Sequence, residues 1–275
     1  MTDTNVVSKN VLYLDLLKRA LTNWIHGHEE FIHIKPTRIG KLLGGFVSPE
    51  GSVLVKRQRF DHEKRSVGQD WPAPLLAHTM IGLKRLDNLQ MCIEKIIADR
   101  VPGDLIETGV WKGGSTIFMR GVLMAHGENS RRVWVADSFQ GLPPPKSDVY
   151  PDDEGDIHFT IDSLKISLEQ VKENFAAYGL LDDQVVFLKG WFSDTLPSAP
   201  IDQLSVLRLD GDMYESTMVA LENLYPKLAV GGFVIVDDYC ITSCKKAVAD
   251  YRKQKGIKDV IWDIDGTGVY WRRSI

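Results

Sequence analysis

The sequence predicts an α/β fold in which helices cover a mostly parallel β-sheet that ends in an antiparallel hairpin. From residue 104 onward, short runs that are apolar throughout alternate with segments of helical periodicity. Such runs are typical of strands in a parallel sheet that is buried on both faces. Near the C-terminus, two further strand patterns flank the turn Gly266-Thr267-Gly268, which is a hairpin signal.

The N-terminal part of the chain is expected to be mainly helical. Apolar residues recur at helical spacing over Tyr13–Leu21 and again over Leu75–Ile97, after which Pro102-Gly103 ends the pattern. Between these segments, the Gly- and charge-rich stretch Gly40–Asp70 predicts a loop. The basic residues within Arg57–Arg65 are interpreted as a solvated face, and contact with an anionic substrate group is the alternative.

Five apolar runs predict the parallel strands, and helix patterns lie between and after them. The predicted strands are Asp104–Glu107, Val133–Ala136, Val185–Leu188, Leu204–Leu209 and Phe233–Val236. The predicted helices are Ser115–Ala125, Ile161–Tyr178, Tyr214–Leu228 and Lys245–Gln254. Val260–Ile264 and Val269–Arg272 then form the predicted hairpin.

Composition and charge exclude several classes of protein and partner. A chain of 275 residues suggests one large domain, or one domain with a smaller appendage. With 33 Lys and Arg against 37 Asp and Glu, there is no electrostatic reason to expect nucleic acid or an anionic membrane as partner. The apolar runs are far shorter than the ~20 residues that span a bilayer, and the N-terminus lacks a secretory pattern. Three cysteines without CxxC spacing fit a reducing compartment, so we expect a soluble cytoplasmic protein.

The residues that follow the first two strands indicate a nucleoside site, because ligands bind beyond the carboxyl ends of parallel strands. The run Glu107–Ser115 contains glycines that permit tight turns and close approach to a ligand. Its spacing matches neither GxGxxG nor a P-loop, which favours a nucleoside without phosphates. Asp137 follows the second strand, where a carboxylate typically binds ribose hydroxyls. The alternative is a helix N-cap at Asp137 with ordinary turn glycines.

Acidic residues follow the fourth and fifth predicted strands and indicate a metal site. These residues are Asp210-Gly211-Asp212 and Asp237-Asp238. Carboxylates at the end of a buried strand are costly unless they are paired, protonated or bound to a cation. Mg²⁺ suits such oxygen ligands, and Mn²⁺ would also fit. The alternative is that Asp212 and Asp238 cap the following helices while the other two carboxylates meet arginines or solvent.

A nucleoside site and a metal site at neighbouring strand ends predict an enzyme that brings two substrates together. The metal would hold an acceptor hydroxyl and lower its pKa, and a neighbouring carboxylate would take the proton. The donor would then deliver an alkyl group in line. Two other functions stay open here: a metal-dependent glycosyltransferase that binds a nucleotide sugar through Asp210-Gly211-Asp212, and a non-catalytic module that binds the cofactor.

Several long motifs, in one order, resemble the macrocin and mycinamicin type of sugar O-methyltransferase. The motifs are YLDLLKRALTNWI, DWPAPLLAHTMIGLKRLDNLQ, IETGVWKGGS, VADSFQGLPPP, LRLDGDMYEST and GGFVIVDDY, and they extend from Tyr13 to Arg272. The resemblance implies a Mg²⁺-dependent class I S-adenosylmethionine methyltransferase with a Rossmann-like seven-stranded sheet at residues 101–275. It implies a helical cap at residues 1–100, a role in antibiotic biosynthesis and a homo-oligomer. The acceptor would be a small glycoside or polyol, because vicinal hydroxyls chelate a metal, as would a catechol or another diol.

The resemblance also implies which residues bind the cofactor. Glu107 and Gly109–Trp111 would line its methionine part, and Asp137 would hold the ribose. Trp191 and Phe192 would flank the adenine. The full expected set, which includes a cap segment, is Thr79, Met80, Glu107, Thr108, Gly109, Val110, Trp111, Ser115, Asp137, Ser138, Phe139, Gly141, Trp191, Phe192 and Asp210.

The same resemblance implies the metal ligands and the catalytic carboxylates. Asp210, Asp237 and Asp238 match the ligands, with one residue from the fourth strand end and two from the fifth. Asp210 and Asp212 are the candidates for the general base. Asp210 is favoured, because a carboxylate on the metal side lies near the coordinated hydroxyl.

Overall fold

The computed structural model describes residues 8–27, 31–33, 55–57, 59–68 and 76–275, and it confirms the predicted fold class. The main sheet contains β3 (Asp104–Thr108), β4 (Val133–Asp137), β5 (Val185–Lys189), β6 (Leu204–Leu209), β7 (Leu228–Val236), β8 (Trp262–Asp263) and β9 (Val269–Arg272). Its seven strands have the order β5-β4-β3-β6-β7-β9-β8. The first five in that order are parallel, and β9 pairs antiparallel with both β7 and β8. Along the chain, the strands after β3 are added first on one side of it (β4 and β5) and then on the other (β6 and β7). Sheets of this kind bind ligands at this topological switch point, between β3 and β6.

Helices cover both faces of this sheet. They are α1 (Lys9–Leu21), α2 (His62–Val67), α3 (Leu83–Ala98), α4 (Gly114–Ala125), α5 (Leu168–Ala177), α6 (Phe192–Thr195), α7 (Tyr214–Leu224) and α8 (Thr242–Lys255). Short 3-10 turns occur at Pro151–Asp153, His158–Thr160, Asp162–Leu164, Leu196–Ser198 and Tyr225–Lys227. In the N-terminal part, β1 (Phe31–His33) pairs antiparallel with β2 (Val55–Arg57). None of the helices in the described ranges has the length and hydropathy needed to cross a bilayer.

The five parallel strands are mostly apolar because each one contributes side chains to two separate hydrophobic cores. In β3, Leu105 belongs to the core under α1, α3, α4 and α5, whereas Ile106 belongs to the core under α7 and α8. This division follows from the alternation of side chains along a strand. The N-terminal helices α1 and α3 therefore share a core with the sheet, through residues such as Leu17 and Leu89.

Two predicted helices begin later than their apolar periodicity indicates. The helix predicted from Leu75 begins at Leu83, after an irregular segment at residues 76–82. The helix predicted from Ile161 begins at Leu168, because the Ser167 hydroxyl caps it by accepting a hydrogen bond from Gln170 N at 3.1 Å.

Two other expectations need correction. The predicted helix Tyr214–Leu228 ends at Leu224 ahead of Pro226, and strand β7 begins at Leu228 rather than at Phe233. The predicted loop Gly40–Asp70 contains β2 and the helix α2, whose N-terminus is capped by Asp61. Within that stretch the structure describes residues 55–57 and 59–68, and the other positions lie outside the described residues.

Candidate active site

A cavity of about 550 Å³ lies at the carboxyl ends of the central strands. Its wall includes Gly109 after β3, Asp137 at the end of β4, Gly190 after β5 and Asp210 after β6. A volume of this size is typical of small-molecule sites. The cavity therefore lies at the edge of the sheet that the strand-end motifs predict.

The structure places the predicted cofactor residues either on the cavity wall or directly behind it. Those on the wall are Met80, Gly109, Trp111, Asp137, Ser138, Gly141, Trp191, Phe192 and Asp210. Those that are buried and do not line the cavity are Thr79, Glu107, Thr108, Val110, Ser115 and Phe139. Asp212 also lies on the wall. The second group supports the wall through packing and hydrogen bonds.

The turn after β3 depends on a glycine that lies against the loop after β6. Gly109 has a φ of +86°, a conformation that residues with a Cβ rarely adopt. A Cβ at this position would collide with the backbone carbonyl of Asp210. The neighbouring Trp111, which has a φ of +48°, is also strained. This close approach brings the predicted cofactor loop next to the acidic cluster.

We expect Gly109→Ala to weaken cofactor binding strongly. It should also lower the free energy of unfolding by more than the roughly 1–3 kcal/mol that an unfavourable φ costs by itself. The excess arises because the new methyl group would push the loop away from the Asp210 carbonyl. Urea unfolding and titration with S-adenosylhomocysteine check this. Gly127→Ala is the matched control, since Gly127 has a φ of +69° but nothing within 4 Å of an added Cβ. Equal losses in both variants would contradict the argument.

Asp137 joins the loops after β3 and β4. Its Oδ2 accepts a hydrogen bond from Val110 N at 2.8 Å, and its Oδ1 accepts one from Phe139 N at 2.7 Å. Burial raises the pKa of Asp137, whereas these hydrogen bonds lower it. No helix begins at Asp137, and the next helical turn begins at Pro151, so the N-cap interpretation is wrong. The carboxylate lies on the cavity wall with lone pairs left for a ligand.

The cap segment that carries Thr79 and Met80 is held in place by the buried Arg65 and the half-buried Lys112. Arg65 donates hydrogen bonds to Met80 O at 2.8 Å and Ile81 O at 2.5 Å. Lys112 Nζ donates to Ala77 O at 3.1 Å, and burial lowers the pKa of this lysine to about 8. The interpretation of the basic stretch as solvated is therefore wrong for Arg65, which has no exposed surface.

The predicted metal ligands come together. Strands β6 and β7 are adjacent and parallel, with Leu209 opposite Val236, so the residues after them reach the same edge. One carboxylate oxygen each from Asp210, Asp237 and Asp238 lies within 4.8 Å of the others. Burial, followed by the charges of Asp212 and Asp210, raises the pKa of Asp238 well above its ordinary value. Burial and the charge of Asp210 raise the pKa of Asp212 to about 7. Ionising all of these carboxyl groups in the metal-free protein is therefore unfavourable.

Two arginines that sequence reasoning missed compensate part of this charge. Arg208, which is 1% exposed, forms ion pairs with Glu107 and Asp237 and a third with Asp210 at 2.6 Å. Arg85 on α3 forms ion pairs with Asp237 and with Asp265, the latter at 2.7 Å. For Arg208, the signal in the sequence was a basic residue inside the otherwise uncharged run of β6.

The alternative interpretation of the four aspartates is confirmed in one respect only. Asp210 and Asp237 do meet arginines. Asp212 and Asp238, however, do not cap helices, because α7 and α8 have no side-chain hydrogen bond at their N-caps. Instead, Asp238 Oδ2 accepts a hydrogen bond from Asp212 N at 3.2 Å. Neither arginine forms an ion pair with Asp238 or Asp212. The charge of His158 offsets part of the rise that burial and Asp210 cause in the pKa of Asp212.

The segment between β4 and α5 borders the cavity and is held to α7. Pro143–Pro145 line the wall, and Lys146 forms an ion pair with Glu215 at 2.7 Å. The Asp153 carboxylate accepts hydrogen bonds from the backbone N–H groups of Tyr214 at 2.6 Å and Glu215 at 2.9 Å. These contacts fix this side of the cavity wall to the N-terminus of α7.

Comparison with known proteins shows what the chain is similar to. The family model described as Macrocin-O-methyltransferase (TylF) matches residues 10–273. The chain is 54% identical over 264 residues to the 8-demethyl-8-(2,3-dimethoxy-alpha-L-rhamnosyl)-tetracenomycin-C 4'-O-methyltransferase of Streptomyces olivaceus, covering 96% of this chain and 93% of that relative. It is 49% identical over 266 residues to the Mycinamicin III 3''-O-methyltransferase of Micromonospora griseorubida, covering 96% of each.

A solved structure shares this fold over nearly the whole chain. The structure of the O-methyltransferase NovP superposes with a TM-score of 0.84 at 47% identity, and covers 97% of this chain and 100% of that one. Coverage this complete includes the N-terminal helices as well as the sheet.

Proposed function

The chain belongs to the macrocin-O-methyltransferase (TylF) family and is an O-methyltransferase, and on that premise we propose a substrate class and a mechanism. The enzyme transfers a methyl group from S-adenosylmethionine to a hydroxyl of a sugar on a natural product, with Mg²⁺ as cofactor. One observation carries the proposal: Asp210 belongs both to the wall of the cavity and to the cluster of three carboxylates. Donor and metal would therefore meet at one residue.

The cavity fits the donor in size and in the chemistry of its wall. Asp137 and Ser138 would bind the ribose hydroxyls, and Trp191 with Phe192 would stack beside the adenine. When bound, S-adenosylmethionine supplies an electrophilic methyl group on a sulfonium centre. Gly109 brings the loop after β3 against the Asp210 carbonyl, so the chain would hold the reacting end of the donor beside the carboxylates. Positioning of this kind supplies much of the rate in transfer reactions.

The three carboxylates fit a divalent cation. Asp210, Asp237 and Asp238 offer oxygen ligands, and a cation would relieve the mutual repulsion that helps to raise the pKa of the buried Asp238. Mg²⁺ is the expected ion, and Mn²⁺ would suit the same oxygen atoms. When bound, the cation supplies positive charge that orients an acceptor hydroxyl and lowers its pKa.

Asp212 is better placed than Asp210 to accept the proton of the acceptor hydroxyl. The Asp210 carboxylate is already bound to Arg208 at 2.6 Å, and it would also be a metal ligand. Asp212 lies on the same wall, and among the described residues no basic side chain forms an ion pair with it. Its lone pairs are therefore available to a proton. The sequence alone favours Asp210 for this role, and the ion pair with Arg208 is the reason for preferring Asp212.

The relatives support a sugar acceptor but leave its reacting position open. One relative is named for methylation at the 4' oxygen of a rhamnosyl compound, and the other for methylation at a 3'' oxygen. We propose a glycoside or polyol with neighbouring hydroxyls as the acceptor, covered by the cap at residues 1–100 while residues 101–275 bind the donor. A homo-oligomer of two or more chains is part of this proposal.

Titration calorimetry with S-adenosylhomocysteine, with and without Mg²⁺, tests the proposal, and UDP serves as the control ligand. We expect a Kd of about 1–100 µM for the nucleoside, equivalent to roughly 5–8 kcal/mol of binding free energy, and no binding of UDP. Metal-dependent binding of UDP without binding of S-adenosylhomocysteine would overturn the proposal and favour a nucleotide-sugar enzyme. Methylation of glycoside acceptors would then be screened with the same preparation.

A further inference from the structure

We propose that Arg208 is a resident counter-ion that competes with the divalent cation for Asp210 and Asp237, and so sets the affinity of the metal site. The inference rests on the metal site of the proposed function. Arg208 is a positioning residue, because its guanidinium contacts the carboxylates and not the reacting atoms. Arg85 assists it from helix α3.

The sheet places Arg208 between the two halves of the active site. Arg208 lies opposite Glu107 in the parallel pair of β3 and β6, and Asp237 follows β7 on the other side. One guanidinium nitrogen, Nη1, contacts both Glu107 and Asp210, and the other, Nη2, contacts Asp237. A guanidinium with fixed fork geometry is suited to hold three carboxylates at once.

The contacts of Asp237 show why arginine and metal would compete. Its Oδ1 is bound to Arg208, and its Oδ2 is bound to Arg85. Whichever oxygen of Asp237 a metal ion used, the ion would share that oxygen with a guanidinium. A carboxylate oxygen has a second lone pair, so sharing is feasible, but two positive charges on one carboxylate repel each other.

The charge balance explains why the chain would keep a competing cation. Glu107, Asp210 and Asp237 are buried or half-buried, and burial already raises the pKa of Glu107 to about 8 although Arg208 lowers it. Without Arg208, the metal-free chain would hold these carboxylates together with only Arg85, at Asp237, to compensate them, and Glu107 and Asp210 would lose their ion-pair partner, which is strongly destabilising. Arg208 thus keeps the metal-free protein folded, and the cost is weaker metal binding.

The test is the affinity of the full-length protein for Mn²⁺, measured by the electron paramagnetic resonance signal of free Mn²⁺. We expect Arg208→Gln to bind Mn²⁺ about tenfold more tightly than the wild type, because one positive charge is removed next to a dication. Its melting temperature without metal falls, and its stabilisation by saturating Mn²⁺ grows by about 1.4 kcal/mol, the equivalent of tenfold. If Arg208 had only a structural role, its replacement would weaken Mn²⁺ binding or leave it unchanged.

Three further variants make the test decisive if Arg208→Gln folds poorly. Arg85→Gln removes the second guanidinium from Asp237 and should also tighten Mn²⁺ binding. Arg208→Lys keeps the charge, so its Mn²⁺ affinity should return close to the wild-type value. Arg120→Gln is the matched control: Arg120 is a buried arginine paired with Asp182 at 2.6 Å, outside the site. This variant should melt earlier with unchanged Mn²⁺ affinity.

The outcomes separate this inference from the proposed function. Wild-type binding of both S-adenosylhomocysteine and Mn²⁺, with weaker or unchanged Mn²⁺ binding in folded Arg208→Gln or Arg85→Gln, overturns the inference alone. Wild-type binding of S-adenosylhomocysteine without any binding of Mn²⁺ overturns both the inference and the proposed metal site. Tighter Mn²⁺ binding in both glutamine variants, with none in Arg120→Gln, supports the inference.

Discussion

Asp212→Asn is expected to lower kcat by about 10²–10⁴-fold, the contribution that a positioned general base makes, while Mn²⁺ and S-adenosylhomocysteine still bind. The amide has the size of the carboxylate but does not accept the proton of the acceptor hydroxyl. The backbone should not change, because Asp212 has a φ of +58° and asparagine tolerates that left-handed region well. Steady-state kinetics with a glycoside acceptor, together with both binding titrations, measure the effect.

The control for Asp212→Asn is a carboxylate elsewhere on the same wall. Asp194 lines the cavity but is not one of the clustered carboxylates, so Asp194→Asn should retain the Mn²⁺ affinity of the wild type and most of its turnover. A loss of less than about tenfold in Asp212→Asn would argue against Asp212 as the base, since general bases contribute at least 10²-fold. Asp210 would then be the remaining candidate.

Asp210→Asn is expected to abolish metal binding and turnover but to leave donor binding largely intact. Residues that only orient metal ligands already change affinity about 10–100-fold when they are replaced, so loss of a charged ligand should raise the Kd for Mn²⁺ by about 100-fold or more. Turnover should fall with it, because the acceptor hydroxyl would lose the cation that lowers its pKa. Affinity for S-adenosylhomocysteine should change only a few-fold, since most of the predicted donor contacts are elsewhere on the wall.

The comparison of the two variants distinguishes the roles of the two carboxylates. If Asp210→Asn binds Mn²⁺ normally and is inactive, Asp210 acts as the base and not as a ligand. If donor affinity falls as far as activity, Asp210 belongs mainly to the donor site. Only loss of Mn²⁺ binding in Asp210→Asn, with retention in Asp212→Asn, agrees with the proposed assignment.

Much of the fold was predictable because each parallel strand is buried on both faces. Such strands are mostly apolar, so the runs that predict β3 to β6 agree with the structure to within a residue at each end. The largest strand error is at β7, where Gly231 and Gly232 interrupt the apolar pattern. Helix starts were predicted less well, because apolar periodicity continues across Gly82 and Ser167, where the structure caps the helices.

The positions of the site motifs were predictable for a topological reason. Parallel strands present their carboxyl ends at one edge, so Gly109, Asp137 and Asp210 had to approach one another once the strands were identified. The distribution of residues between the wall and the layer behind it was not predictable. Glu107 near the end of β3 is buried behind the wall, whereas Asp137 at the end of β4 lies on it.

By itself, the sequence determined the sheet, the strand-end motifs and the family, because these depend on local periodicity and on residues close together in the chain. Only the tertiary structure decided how the acidic charges are compensated. Arg85, Asp237 and Asp265 are far apart in the sequence, yet they form one buried group with Arg208. A buried arginine and an exposed one look alike in a sequence. Their difference arises from partners that folding brings within hydrogen-bond distance. Because water is excluded there, a buried charge without such a partner would strongly destabilise the fold.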